Sequence, residues 1–315
     1  MTNLLWTSEI SNNDLNLVGD KAVKLAELYK LGLPIAQGFV LTNKVFKKFL
    51  ENNFLNKQIS NLLFNLDINN FKLIQAKADE IKGIIMKSEL SENLRNEIFE
   101  AYDNLNVNEE VWRTGNKSAL ELIRTGRSLP YIAVKISLVN NYNDQTTYLN
   151  IKGISSLTTI IKKCFASLYD FENIYYREKN NLSHEDLNFG IIIQRMINSD
   201  KSGIIINDIE IKAVYGMSEL LLNNIITPNS YIINKDEMYI KEKKLSKQNV
   251  YLTRDDFGNN IKKNLESDKQ GKQVLNDDEI IKLGTFYKRI NEFYNKNLKV
   301  EFAVENSKIY IINVK

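Results

Sequence analysis

The architecture turns on residues 188–207, "NFGIIIQRMINSDKSGIIIN". Two isoleucine-rich runs flank the turn-forming "NSDKSG", a pattern that predicts two apolar strands joined as a β-hairpin. The same region is where two lobes are expected to meet, near residue 190. Towards the C-terminus, "IEIKAVYGMSELLLNN" reads as a strand, a turn at Gly216 and a helix. Residues 240–274 are polar and lysine-rich, which suggests a hairpin followed by a mobile loop. "LNDDEIIKLGTFYKRINEFYNK" then predicts a long helix, with Asn276 and Glu279 in the capping-box relation and Ile280, Leu283, Tyr287, Ile290 and Tyr294 on one face. The chain closes on two strands, "LKVEFAV" and "KIYIINVK".

Towards the N-terminus, "SLTTIIKKCFASLYDFENIYYREK" has helical spacing, and "LPYIAVKISLV" and "DQTTYLNI" read as strands. Residues 43–105 are helical by period, with Ser91 able to cap the last helix of that layer. The first forty residues read as a short extended segment, a helix and a strand. In "DKAVKLAELYKLG" the apolar positions Ala22, Leu25, Ala26 and Tyr29 recur at helical spacing, Asp20 can cap the start, and Gly32 can end the helix. The expected class is α+β with antiparallel hairpins.

Composition narrows the function. With 43% hydrophobic and 26% charged residues, a chain of this length can bury a sizeable core. No apolar run reaches the roughly 18 residues of a membrane span. The opening "MTNLLWTSEISNNDLN" lacks the basic start and apolar stretch of a signal peptide, so a soluble cytoplasmic protein is expected. A net charge of +3 gives no field that argues for nucleic acid. The cluster of Arg113, Lys117, Arg124 and Arg127 near Trp112 reads as a solvated helix face. The single cysteine, Cys164, excludes an internal disulfide, and its apolar surroundings in "KKCFASLY" suit an inert buried thiol. The single histidine, His184, sits in the polar "KNNLSHEDLN", a loop or helix cap. That placement argues against an in-chain phosphohistidine.

Three features could carry chemistry. In "LNLVGDKAVKLAEL", Leu15–Leu28, a glycine, an acid and Lys21 stand where an extended run turns into helical spacing. Amides at a helix start beside an ammonium group form a phosphate cradle, and a capped surface helix with a solvated lysine is the alternative. "IAVKIS" puts Lys135 in an apolar strand, facing either solvent or a cleft with an anionic partner. In the closing hairpin, Glu301, Ala303 and Glu305 share one face, as do Asn313 and Lys315. This is either cross-strand pairing or an arrangement that can hold Mg²⁺ together with phosphates.

These features stand in order with others: "VGDKAVKLAELYKLGLPIAQGFVLT", "IAVKIS" followed by "QTTYLNI", "IIIQRMINSDKSGIIIN", "AVYGMSELLLNNIITPNSYII" and "VEFAVENSKIYIINVK". Collinear over nearly the whole chain, the sequence resembles the N-terminal nucleotide-binding domain of phosphoenolpyruvate synthase and pyruvate phosphate dikinase, an ATP-grasp domain also found in rifampin phosphotransferase. The resemblance implies two lobes with a nucleotide cleft between them. Residues 1–190 would supply the helical layer and phosphate-binding strands, and residues 191–315 the adenine and magnesium sites. It implies ATP and Mg²⁺ as cofactors, with Lys21, Lys135 and Lys315 on the phosphates, Gln194, Arg195 and Met196 along the adenine, and Glu219 orienting ribose or loop. Glu301 and Asn313 would hold the metal.

Several positions depart from the family pattern. Lys135 and Lys315 stand where arginine is usual, Asn313 where glutamine is, and Lys212 and Lys299 where acids are. The arginine-led loop after the strand is reduced to "KISLVNNYND". The resemblance implies a phosphotransferase module that passes phosphate from ATP to a histidine on a separate subunit carrying the phosphohistidine and pyruvate-binding domains. A degenerate nucleotide-binding subunit without turnover and a direct ATP-grasp kinase or ligase are the alternatives.

Overall fold

A computed structural model describes residues 2–106, 128–139 and 147–314. Trp112, Arg113, Lys117, Arg124, Arg127 and Lys315 lie outside the described residues. The chain divides into two compact units, Met1–Ala26 with Gln37–Arg195, and Glu27–Ala36 with Met196–Lys315. Residue 190 falls inside a strand of the first. Among the described residues no helix is long and apolar enough to cross a membrane.

The first unit runs β1 (Leu4–Trp6), α1 (Leu15–Val18), α2 (Asp20–Lys30), β2 (Gly38–Thr42), α3 (Asn43–Asn52), α4 (Leu55–Leu63), α5 (Phe71–Lys87), α6 (Glu92–Asp103), β3 (Ile132–Leu138), β4 (Thr147–Ile151), α7 (Ile154–Ser167), α8 (Phe171–Lys179) and β5 (Phe189–Arg195). Its five strands form one antiparallel sheet in the order β1-β2-β5-β3-β4. Alternation sends Phe39, Leu41, Ile132, Val134, Ile136, Ile191 and Ile193 to one face. There they join Phe46, Phe49, Ile81 and Phe165 of the helical layer in a continuous core. Each such side chain, when fully buried, contributes roughly 1.5–3 kcal/mol. The other face carries Val40 and Ile192 together with smaller and polar groups: Gly38, Ala133, Lys135, Ser137, Gly190 and Gln194.

The second unit continues with β6 (Lys201–Ile206), β7 (Glu210–Tyr215), α9 (Glu219–Leu222), β8 (Asn229–Ile233), β9 (Ile240–Lys244), β10 (Val250–Arg254), β11 (Asn260–Asn264), α10 (Asp277–Tyr294), β12 (Val300–Glu305) and β13 (Lys308–Val314). Six antiparallel strands lie in the order β13-β12-β6-β7-β8-β9, and β10 pairs with β11 alone. The α10 side chains Ile280, Leu283, Tyr287 and Ile290 share a core with Ile205, Ile211, Tyr231, Phe302 and Ile311. The capping box forms as expected, with the Glu279 amide donating to Asn276 Oδ1 at 2.8 Å and the Asn276 amide donating to Glu279 Oε2 at 2.9 Å. Lys201 Nζ reaches both Glu279 oxygens, at 3.0 and 2.8 Å, and ties α10 to β6. Segment Glu27–Ala36 is held by Tyr294, which donates to Glu27 at 2.6 Å, and by the Ile311 amide on the Pro34 carbonyl at 2.8 Å.

The sheets correct the central expectation. The two isoleucine runs form no hairpin: β5 lies between β2 and β3, and β6 lies between β12 and β7. Each strand has both ladder edges occupied, so neither has an edge for the other. The turn residues serve the second unit instead. The Asn198 amide donates to Glu305 Oε1 at 2.7 Å and the Asp200 amide to the Val304 carbonyl at 2.8 Å.

Four local expectations also shift. "LNLV" forms a helical turn rather than an extended segment, closed by the Gly19 amide on the Leu15 carbonyl at 2.8 Å. The helix expected over Ser156–Lys179 breaks, because Asp170 takes an extended backbone before α8. The hairpin expected to open the 240–274 region lies instead at β10–β11, while β9 joins β8. Ser91 occupies the cap position of α6 without a side-chain cap bond.

Helix α2 ends as expected at Gly32, whose φ of +69° lets the Leu33 amide reach the Leu28 carbonyl at 3.1 Å and its own amide reach Tyr29 at 2.8 Å. Leu28 and Leu33 then meet in the second unit's core, and Leu28 takes the buried role expected of Tyr29, which is 43% exposed.

Candidate functional site

In the first unit the glycine turn and the lysine strand are brought together. Gly19 has a φ of +78°, and a Cβ there would stand 1.9 Å from the Ser137 carbonyl oxygen, so only glycine fits. Asp20 is the first residue of the helix. A cap comes from β3, where Ser137 Oγ accepts the Ala22 amide at 3.1 Å. Lys21 Nζ donates to the Ile136 carbonyl at 3.4 Å. Two residues before Ser137 on the same sheet face is Lys135, half-buried and opposite Ile192 and Thr147. Gln194, 4% exposed, shares that face opposite Gly38 and Ala133.

The result is a sheet face with a helix start and two ammonium-bearing residues, an electrostatic setting that favours an anion. Arg195 alternates to the opposite side from Gln194, and its amide bonds the Gln37 carbonyl at 2.9 Å. Gln194 and Arg195 therefore face opposite sides of β5, and Met196 follows the strand's end.

In the second unit Met196 packs against an apolar cluster of Met217, Leu220 and Leu252, with Val250 and Ile226 beside them. The turn "YGMS" is locked to β10. Gly216 has a φ of +75°, a Cβ there would be 2.3 Å from the Leu252 carbonyl oxygen, and the Met217 amide donates to that oxygen at 2.9 Å. Gln248, 4% exposed, adds a clamp: it accepts the Tyr215 amide at 2.9 Å and donates to the Tyr215 and Val250 carbonyls at 3.0 and 2.9 Å. Glu219 is exposed in the first turn of α9, 3.4 Å from Asn260 Nδ2.

On β12 and β13, Glu301 stands directly opposite Asn313, with a bulge just beyond. The pair fits Mg²⁺ in donor chemistry, one carboxylate and one amide oxygen on a shared face. Among the described residues no group of three or more His, Cys, Asp or Glu could hold a metal ion, so phosphate oxygens would have to complete the coordination. Across Ile204 from Glu301 is Lys212, which pairs with Glu210 at 3.4 Å.

His184 lies in the first unit within a closed set of contacts. Its Nδ1 accepts from Arg177 Nε at 2.9 Å, and its Nε2 stands 2.7 Å from Glu178 Oε1. Burial, and more weakly the Arg177 charge, hold it below the usual histidine range against the opposing pull of Glu178. It is a neutral structural ring with its proton on Nε2, a tautomer assigned from the hydrogen bonds. Cys164 is buried, as its surroundings indicated.

Sequence reasoning missed Ser137, Gln248 and the tie from Gly216 to Leu252. A serine two residues after Lys135 was a visible signal for the first. The other two depend on contacts between strands far apart in the chain and left none.

The sequence matches the family described as pyruvate phosphate dikinase, AMP/ATP-binding domain, over residues 15–118 and 143–315. It is 34% identical to a probable phosphoenolpyruvate synthase of Archaeoglobus fulgidus, covering 98% of this chain and 41% of that protein. It is 29% identical to a probable phosphoenolpyruvate synthase of Methanocaldococcus jannaschii, over 99% of this chain and 26% of the relative. The phosphoenolpyruvate synthase of Pyrococcus furiosus is 26% identical over 98% of this chain and 42% of its own length. The chain thus spans less than half the length of these curated relatives. With the family match covering the second sheet, strands β2, β4 and β5 of the first, and the Lys21, Gly216 and Glu301 segments, the chain belongs to the pyruvate phosphate dikinase AMP/ATP-binding domain family, whose fold is of the ATP-grasp type.

Proposed function

We propose that the chain binds ATP with Mg²⁺ and presents its phosphates for transfer to a histidine on another polypeptide, in the cytoplasm. The observation that carries this reading is the meeting of the α2 start and β3 at Ser137, which puts the segments of Lys21 and Lys135 on one face of the first sheet. In this role Lys21 and Lys135 bind phosphate oxygens, joined by Lys315. Gln194 hydrogen-bonds an edge of the adenine, Met196 and its apolar neighbours offer a surface for the ring, Arg195 contributes from its own side of β5, and Glu219 orients the ribose. Glu301 and Asn313 hold Mg²⁺, which when bound neutralises phosphate charge.

Most of the catalysis is then positioning and charge neutralisation, as is general for phosphoryl transfer. A neutral imidazole nitrogen of the acceptor forms a P–N bond while the P–O bond to the bridging oxygen breaks. The electron pair stays on the nucleotide, and the ring proton passes to solvent. His184 is unsuited as acceptor, because both of its ring nitrogens are engaged by Arg177 and Glu178.

Calorimetric titration with ATP and Mg²⁺ tests binding, and absence of binding would end the proposal. Incubation with labelled ATP, alone and with a lysate of the source, tests transfer. Label on an acceptor or release of AMP is expected. Binding without either outcome points to the degenerate subunit, a reading to which lysine in place of arginine at residue 135 already lends weight, since the bidentate grip on phosphate is lost.

A further inference from the structure

We infer that Ser137 is a positioning residue that sets Lys21 for the nucleotide's phosphates, an inference that rests on the ATP reading above. Three small residues meet where α2 approaches the first sheet. Gly19 touches the Ser137 backbone so closely that a Cβ would stand 1.9 Å from its carbonyl oxygen. Gly190, opposite Ser137 in the ladder, would place a Cβ 2.6 Å from the Val18 carbonyl oxygen. Of the three, only Ser137 carries a polar side chain, and it is fully buried.

That hydroxyl has a specific task. The first amides of a helix have no partner within it, and a side-chain oxygen just before the helix is the usual acceptor. Residue 19 is glycine, so the position just before the helix carries no side-chain oxygen. Ser137, 115 residues away, accepts the Ala22 amide at 3.1 Å. The capped amide belongs to the residue next to Lys21, and the capping strand carries Lys135. A lysine side chain is long and flexible, so the reach of its ammonium group is decided by where its Cα is fixed. Lys21 Nζ also contacts the carbonyl of Ile136, the neighbour of Ser137, at 3.4 Å. One hydroxyl thereby fixes the spacing between the two cations expected to share a triphosphate.

A purely structural serine would give a different pattern from a positioning one. Loss of the cap for structural reasons lowers thermal stability and weakens every ligand alike. Loss of Lys21's position weakens only the ligand that Lys21 touches. The experiment is a double-mutant cycle on ATP affinity with Ser137→Ala, Lys21→Ala and the double variant, repeated with adenosine, which has no phosphate.

Ser137→Ala is expected to weaken ATP binding about tenfold while the double variant binds no more weakly than Lys21→Ala alone. Adenosine affinity should be the same for all four chains. Additive losses in the ATP cycle would overturn the inference, as would an equal loss of adenosine. Should Ser137→Ala fail to fold, Ser137→Cys keeps the size, weakens the acceptor and enters the same cycle. A wild-type chain that binds no ATP overturns the ATP reading and this inference with it. Wild-type binding with an additive cycle overturns this inference alone.

Discussion

The two sheets assemble their candidate groups by opposite routes. In the second unit Glu301 and Asn313 sit on adjacent strands joined by the two-residue loop Asn306–Ser307, whose φ values of +50° and +62° are those of a tight hairpin turn. Their juxtaposition follows from local register. In the first unit Lys21, Lys135 and Gln194 come from three separate segments, held together by contacts that span 115 residues. A hairpin tolerates change residue by residue, because its turn continues to set the pairing. The non-local face depends on a few close approaches, and each of those is fragile.

The largest expected effect breaks one such approach. Gly19→Ala puts a methyl group 1.9 Å from a backbone oxygen at a φ of +78°, and should cost about 3 kcal/mol or more in a denaturant titration. Gly271 is the control: its φ is +73°, yet no heavy atom lies within 4 Å of the added Cβ. Gly271→Ala should cost only the backbone strain, about 1 kcal/mol. Equal losses for the two variants would mean that α2 does not press on Ser137.

Ligand binding separates the two routes next. Lys21→Ala should weaken ATP by about tenfold to a hundredfold, the worth of a charge-assisted hydrogen bond, whether or not Mg²⁺ is present. Glu301→Gln should weaken ATP by about tenfold with Mg²⁺ and leave binding unchanged in a chelator, because its role runs through the metal. The pair sharpens the comparison, since the first variant probes the distributed face and the second the hairpin. Calorimetry that found Glu301→Gln equally harmful without Mg²⁺ would remove the metal assignment.

The same division explains what could be read from the sequence. Helix α10 was legible because its capping box and its apolar face are both written within 19 residues, Asn276–Tyr294, and the Gly32 stop of α2 was legible for the same reason. The face shared by Glu301 and Asn313 followed from period-2 alternation. The isoleucine runs misled because alternation and turn residues say that a strand begins or ends, and do not say which strand it joins. β5 and β6 are separated by only five residues, yet each is saturated by partners far away in the chain. The part Ser137 plays at the start of α2 was not legible, because the serine has no sequence proximity to that helix to betray it. The shared phosphate role proposed for Lys21 and Lys135 comes from family resemblance and not from local spacing.

The smallest effect is a pH response confined to one unit. His184 is the only histidine, and its folded pKa lies below the unfolded value of 6.5, first because of burial and then because of Arg177, with Glu178 opposing. As pH falls through that unfolded value, the unfolded chain takes up a proton that the folded chain still refuses. Stability present at neutral pH is therefore lost over that window and levels off below the folded pKa. Asp255 and Asp277 have lowered pKa values, so their contributions are lost only at more acidic pH. Trp6 is buried in the first unit's core, so in a chain carrying Trp112→Phe the fluorescence follows that unit. The urea midpoint read by fluorescence in that chain should fall between about pH 7.5 and pH 5.5 with His184 in place and stay level for His184→Gln. A midpoint with His184 in place as flat as the variant's would mean that the ring between Arg177 and Glu178 is not held neutral, and the clearest structural ground for excluding His184 as phosphate acceptor would go with it.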